Sequence, residues 1–178
     1  HVLDRLKDQD GAVVDPIFIN ANGDPDRFAP WGLPVVPDVI EGAQGPLAGV
    51  LTGLLWLREN RPDVPWLLTA PVDGPFLPRD LAARLFEAVA QGNGADGRAD
   101  LACVASGGRA TPVVGLWSVA LADDLKAAVI GEEVRKVDIW TARHRLSVVE
   151  FSDDPVDPFF NANRPDDLAE AERLLELL

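Results

Sequence analysis

The run Trp66-Leu67-Leu68-Thr69-Ala70 lies between Pro65 and Pro71 and shows no polar alternation. A helix of that length cannot fit between the prolines, so the pattern predicts a strand buried on both faces of a parallel sheet. Residues 100–105 predict a second buried strand, and 113–117 and 147–151 two more. Residues 17–19 predict a strand ending at Asn20-Ala21-Asn22-Gly23. Residues 32–38 predict a short, edge-like strand, because its prolines cannot donate to a ladder. Helical spacing appears between these runs. Residues 79–91 place Leu81, Leu85, Ala88 and Val89 on one face. The helix from 45 to about 59 carries Leu47, Leu51, Leu54 and Trp56 and keeps little polar surface. A helix over 119–130 turns Leu121, Leu125 and Val129 inward, and one starting at Pro165 has Leu168, Ala171, Leu175 and Leu178 as its buried stripe. Residues 1–9 read as the second half of a helix, 91–98 as a flexible surface loop, and 132–145 as helical in part. Strands alternating with helices predict a single three-layer α/β domain over residues 1–178.

Composition narrows the class. A chain of 178 residues with 47% hydrophobic content can bury one substantial core. No apolar run approaches the length of a membrane span, and the opening residues resemble neither a signal nor a transit peptide. The one cysteine, Cys103, falls inside an apolar strand, which predicts a core thiol, no internal disulfide and a reducing cytoplasm. The histidines, His1 and His144, form no zinc motif. A formal net charge of −13 argues against a nucleic-acid binder. Phosphates remain possible ligands where a metal ion and a local basic segment offset the field.

Three polar residues stand at predicted strand ends: Asn20, Asp38 and Asp73. Ligands of open α/β sheets gather there, and the three converge on one edge if their strands are parallel neighbours. Asp73 either holds a metal ion or ligand hydroxyl, or only shapes the Asp-Gly-Pro turn. Gly45-Pro46-Leu47-Ala48-Gly49 opens a helix with proline in the first turn. Its glycines admit either a ligand at the helix N-terminus or close helix–sheet packing, the reading favoured for Gly53. The densest basic segment holds Arg135, Lys136, Arg143, His144 and Arg145, either a solvated face or a contact for an anionic substrate.

These motifs are similar, in the same order, to those of the MobA-type molybdenum cofactor guanylyltransferases of the nucleotidyltransferase superfamily. The match runs through Ile19-Asn20-Ala21-Asn22, Val36-Pro37-Asp38, Gly45 to Gly49, and Pro71-Val72-Asp73-Gly74-Pro75-Phe76-Leu77-Pro78. It continues through Thr111-Pro112 to Phe160-Asn161-Ala162-Asn163-Arg164-Pro165-Asp166-Asp167-Leu168, so it covers essentially the whole chain. The resemblance implies a Rossmann-like fold with a mostly parallel sheet, and transfer of GMP from GTP to the terminal phosphate of molybdopterin, releasing pyrophosphate. It implies Mg2+ on Asp73, nucleotide contacts at Asn20, Asp38, Gly45, Pro46, Leu47, Gly49 and Asp73, and substrate contacts at Asn161, Asn163, Arg135 and Lys136. Molybdoenzymes or their chaperones are the implied partners, with no nucleic acid or membrane. A related enzyme using CTP or another phosphorylated acceptor, or a non-catalytic nucleotide-binding module, are the alternatives. The chain departs from the family in three places. Nothing before His1 supplies the first strand and its loop, approximately L-A-G-G-x-S-x-R-M-G-x-D-K, so the domain is expected to be N-terminally incomplete. Gly74 stands where the family usually has Thr or Met, and Arg164 where it often has a helix-capping Thr.

Overall fold

The computed structural model describes residues 2–40, 42, 45–92 and 97–175. Its elements, in chain order, are α1 (Val2–Lys7), β1 (Ile19–Asn20), a 3-10 helix (Pro25–Trp31), β2 (Val35–Val36), α2 (Pro46–Asn60), β3 (Trp66–Thr69) and α3 (Leu81–Ala90). There follow β4 (Leu101–Ser106), β5 (Arg109–Ser118), α4 (Ala122–Lys126), α5 (Val137–Thr141), β6 (Leu146–Phe151) and α6 (Pro165–Leu175). This is the expected α/β class. His1, the middle of the 91–98 loop (93–96) and Leu178 lie outside the described residues.

The chain divides into two compact units, one of His1–Val14, Leu68–Leu116 and Arg145–Leu178, the other of Asp15–Leu67 and Trp117–His144. The first carries a four-stranded sheet in the order β3-β5-β4-β6. All six residues of β4 are buried, as a run without polar alternation demands. β4 pairs in parallel with β6, Cys103 opposite Val148. Only Gly107 and Gly108, both at positive φ, separate β4 from β5. Two consecutive left-handed residues are what a tight two-residue hairpin turn requires. The β5 strand therefore starts at Arg109, four residues earlier than the apolar run suggested. On one face α3 lays down Leu81, Ala82, Leu85 and Val89, and Ser147 of β6 donates its hydroxyl to the Ala88 carbonyl.

Gln9 is a buried polar side chain in this unit, with 1% of its surface exposed. Its amide donates to the Arg5 and Pro78 carbonyls at 2.9 Å each and accepts from the Ala82 N–H at 2.8 Å. It thus ties the end of α1 to the start of α3. Each backbone group left unpaired by its removal would cost about 1–3 kcal/mol. α6 packs Ala171, Leu174 and Leu175 against Phe76 and Val156. Leu168, expected in that stripe, is 58% exposed and is replaced inward by Leu174. Arg164 cannot cap this helix through its side chain, but Asp167 accepts from the Asn163 and Arg164 N–H groups at 3.1 and 2.9 Å. A carboxylate three residues into the helix reaching back is half of a capping box.

In the second unit, β1 and β2 pair in parallel as a two-stranded sheet, Ile19 opposite Val35. Eight of the fifteen residues of α2 are buried, so the helix is apolar around most of its circumference. Gly53 meets Leu67: a Cβ there would lie 2.7 Å from the leucine Cδ2. That is the close helix–sheet packing expected for this glycine. Residues 119–131 are helical but change pitch twice, from 3-10 (Val119–Leu121) through α4 to a π turn (Ala127–Gly131). Among the described residues no helix is long and apolar enough to cross a membrane.

Candidate functional site

Two polar clusters form, one in each unit. In the second unit Asn20 ends β1 and Asp38 follows β2, and the parallel register of these strands brings the side chains together. Asn20 Nδ2 donates to Asp38 Oδ1 at 3.0 Å and to the Val36 carbonyl at 3.0 Å. Asn22 Nδ2 donates to Asp38 Oδ2 at 2.8 Å, and the Asp38 N–H returns to Asn22 Oδ1 at 2.9 Å. Thr52, fully buried on α2, accepts from the Val39 N–H at 3.1 Å and donates to the Ala48 carbonyl. Asp38 is thereby held from three sides, its two carboxylate oxygens each already accepting one amide.

Gly49 makes this arrangement possible. A Cβ on it would stand 2.5 Å from Asn20 Oδ1, so the bare helix backbone is the floor on which the Asn20 amide rests. Gly45, at φ 107°, precedes α2, with Pro46 in its first turn. A Cβ on Gly45 would lie 3.5 Å from the Arg135 carbonyl. The glycine segment and the basic segment are therefore neighbours. Of the basic residues, Arg143 pairs with Glu132 at 2.9 Å, and Arg145 makes a two-pronged pair with Asp100. Both guanidinium groups are thus paired with carboxylates. Arg135 donates from Nη1 to the Val129 carbonyl at 2.7 Å, which spends a hydrogen bond but no charge. Lys136 is exposed, and its ammonium has no hydrogen-bond or ion-pair partner among the described residues, its carbonyl alone accepting the Trp140 N–H at 3.4 Å.

The other cluster lies in the first unit, on the loop after β3. Asp73 is half-buried, and its carboxylate has no hydrogen-bond or ion-pair partner among the described residues. Its carbonyl accepts from the Ala162 N–H at 2.9 Å, and Phe76 packs on Phe160 with ring centroids 6.0 Å apart. These contacts latch the Asn161–Asn163 segment to the Asp73 loop. A Cβ on Gly74 would be 3.9 Å from Asn161 Oδ1. The Asn161 amide therefore lies close to the Asp73–Gly74 turn. Asn163 is exposed, its backbone N–H held by Asp167. Beyond Phe76 the same unit has an open cavity of about 720 Å³, where Arg84 lies 3.9 Å over the Phe151 ring and Arg79 pairs with Asp8.

Among the described residues no group of three or more His, Cys, Asp or Glu could hold a metal ion. One unpartnered carboxylate with a neighbouring amide oxygen instead fits a hard cation that takes most of its ligands from substrate phosphates and water. Asn20 and Asp38 stand at the ends of β1 and β2, which pair in parallel, whereas β3, which leads to Asp73, pairs with β5. Sequence reasoning missed the roles of Asn22 and Thr52. Asn22 sits two residues from Asn20, and that alternation was the available signal. Thr52 gave none, since a threonine inside an apolar helix looks like filling.

The family described as MobA-like NTP transferase domain matches residues 1–146. The molybdenum cofactor guanylyltransferase of Rhodopseudomonas palustris (strain BisB5) is 51% identical over 173 residues, covering 97% of this chain and 78% of the relative. That of Nitrobacter hamburgensis is 50% identical over 176 residues, covering 99% and 80%. The crystal structure of molybdopterin-guanine dinucleotide biosynthesis protein A from Archaeoglobus fulgidus superposes with a TM-score of 0.61 at 22% identity, over 86% of this chain and 73% of that one, a likeness of fold. With a nucleotidyltransferase fold, relatives at half identity over nearly its full length, and a family match over most of its residues, the chain belongs to the MobA-like NTP transferase family and is a nucleotidyltransferase.

Proposed function

We propose that the enzyme transfers GMP from GTP to the terminal phosphate of molybdopterin, with Asp38 reading the guanine nucleotide and Asp73 at the reacting phosphates. Relatives named molybdenum cofactor guanylyltransferase at about half identity support the reaction. The observation that carries the residue assignment is the Asp38 carboxylate, held by Asn20 and Asn22 at 3.0 and 2.8 Å. An ionised carboxylate only accepts. Guanine offers adjacent donors, N1–H and its 2-amino group, whereas the corresponding edge of cytosine has acceptors beside its amino group. Binding sites that satisfy a substrate's polar groups reject analogues lacking them, because a buried partner is left unpaired.

In the reaction an oxygen of the molybdopterin phosphate attacks the α-phosphorus of GTP, the bond to the β-phosphate bridging oxygen breaks, and pyrophosphate leaves. A magnesium ion bound by Asp73 would neutralise phosphate charge as the new bond forms. The chain's own contribution is placement. Gly45 and Pro46 open the helix toward the nucleotide, with Leu47 and Gly49 in its first turn and the Asn20 amide resting on Gly49. Arg135 and Lys136, beside Gly45, supply positive charge to a phosphate in an otherwise acidic protein. Asn161 and Asn163, latched to the Asp73 loop, offer amide donors to the acceptor substrate.

Steady-state turnover with GTP and CTP tests the assignment. GTP is expected to be strongly preferred, and Asp38→Ala to erode the preference about 10- to 100-fold, the worth of hydrogen bonds to a charged group. Equal use of the two nucleotides by the unaltered enzyme would move it to a cytidylyl-transferring branch.

A further inference from the structure

We propose that Asn22 is a positioning residue that sets the Asp38 carboxylate for the guanine nucleotide, an inference that rests on the reading of Asp38 above. Asn22 grips Asp38 at two points. Its Nδ2 donates to Asp38 Oδ2 at 2.8 Å, and its Oδ1 accepts the Asp38 N–H at 2.9 Å. With Asn20 Nδ2 on Oδ1 at 3.0 Å, both carboxylate oxygens are fixed in space. Two of the roughly four lone-pair positions of a carboxylate are then filled, one on each oxygen. One remains on each, a match for two adjacent donors on a single ligand edge.

Asn22 is itself restrained. Arg27 Nη2 donates to its carbonyl at 3.0 Å, and that guanidinium lies 4.6 Å over the Phe28 ring. The Phe28 ring in turn contacts Trp31 at 5.9 Å. Asp24 accepts from the Asp26 N–H and starts the 3-10 helix that carries these side chains. The asparagine is thus mounted on an ordered turn.

A folding role does not account for this clamp. Asn22 is exposed and Asp38 only half-buried, and hydrogen bonds between such groups exchange with water at little net gain. Closing the loop needs only the Asp38 N–H bond to Asn22 Oδ1. The second bond, amide to carboxylate, constrains the side chain alone. Ordering a side chain before its ligand arrives removes that entropic cost from binding.

The two bonds separate by substitution. Asn22→Asp keeps an acceptor for the Asp38 N–H, removes the donor and sets one carboxylate against another. Asn22→Ala removes both bonds without adding charge. Steady-state kinetics with GTP and CTP, on the unaltered enzyme, both Asn22 variants and Asp38→Ala, with thermal melting of each, form the test. Asn22→Asp is expected to raise the KM for GTP about tenfold or more, to exceed Asn22→Ala in this, and to leave kcat and the melting temperature close to the original. CTP kinetics should change little. A KM for GTP near the original in Asn22→Asp, with only Asn22→Ala impaired, would assign Asn22 to loop closure and overturn the proposal. If Asp38→Ala shifts the GTP-to-CTP preference while both Asn22 variants bind GTP normally, the proposal fails and the reading of Asp38 survives. If Asp38→Ala leaves that preference untouched, both fail.

Discussion

Asp73→Asn is expected to lower guanylyl transfer about a thousandfold while leaving the fold nearly intact, since a metal acting on developing phosphate charge supplies several kcal/mol. The reason is the asymmetry of its surroundings. Its backbone carbonyl is engaged by Ala162, and asparagine keeps that bond, whereas its carboxylate has no partner among the described residues to lose. The half-buried side chain exchanges one oxygen for an amide and fills the same space. What disappears is the negative charge, and with it the grip on a divalent cation that the proposed role gives this residue. Single-turnover rates beside a melting curve separate the two effects. Near-normal turnover would reduce Asp73 to a residue that shapes its turn.

Trp140→Ala is expected to be the most costly single change for stability, at about 3–5 kcal/mol, a large part of the ~5–15 kcal/mol a domain possesses. Trp140 is fully buried and stacks on Trp117 at 6.0 Å and 28°. It also lies 4.4 Å from the His144 ring, and its Nε1 donates to Asp124 Oδ2 at 2.9 Å. His144 Nε2 meets the same oxygen at 3.1 Å. The ring therefore anchors α5, five residues long and too short to persist alone. Because Arg135 and Lys136 lead directly into α5, loosening it also releases the charged pair beside Gly45. Urea unfolding reads the loss as a lower midpoint at unchanged slope. A loss below about 1 kcal/mol, typical of surface changes, would mean that neighbouring side chains close the space.

The elements that the sequence reveals are those dictated by local pattern. The run at 66–70 could only be a strand between its prolines, and the structure has β3 there. The stripe Leu81, Leu85 and Val89 is buried as its spacing requires. Cys103 is the core thiol its apolar neighbours implied. What escapes local pattern is partnership. Arg143 and Arg145 read as available cations because Glu132 and Asp100, which neutralise them, lie 11 and 45 residues away in the chain. Nothing near Asp38 in sequence announces its partner Asn22, 16 residues earlier. The α6 stripe was misjudged at Leu168, since its first turn faces outward and only the position of Phe76 and Val156 decides which turn is covered. Similarly, apolar spacing near 3.6 residues cannot distinguish α4 from the tighter and wider turns on either side.

The placement of Cys103 gives the protein a built-in reporter of its own opening. The thiol is 1% exposed in the middle of β4, and burial pushes its pKa up to about 11. β5 and β6 flank β4 on either side. A thiol-specific reagent needs both access and a thiolate, and the closed sheet denies both. Covalent labelling should therefore proceed only through molecules whose sheet has transiently come apart. With one cysteine in the chain, the signal is single. Where reclosing outpaces the reagent, the labelling rate measures the free energy of opening under native conditions. Added nucleotide should slow labelling in proportion to how far binding tightens this sheet, a readout of ligand coupling that requires no turnover.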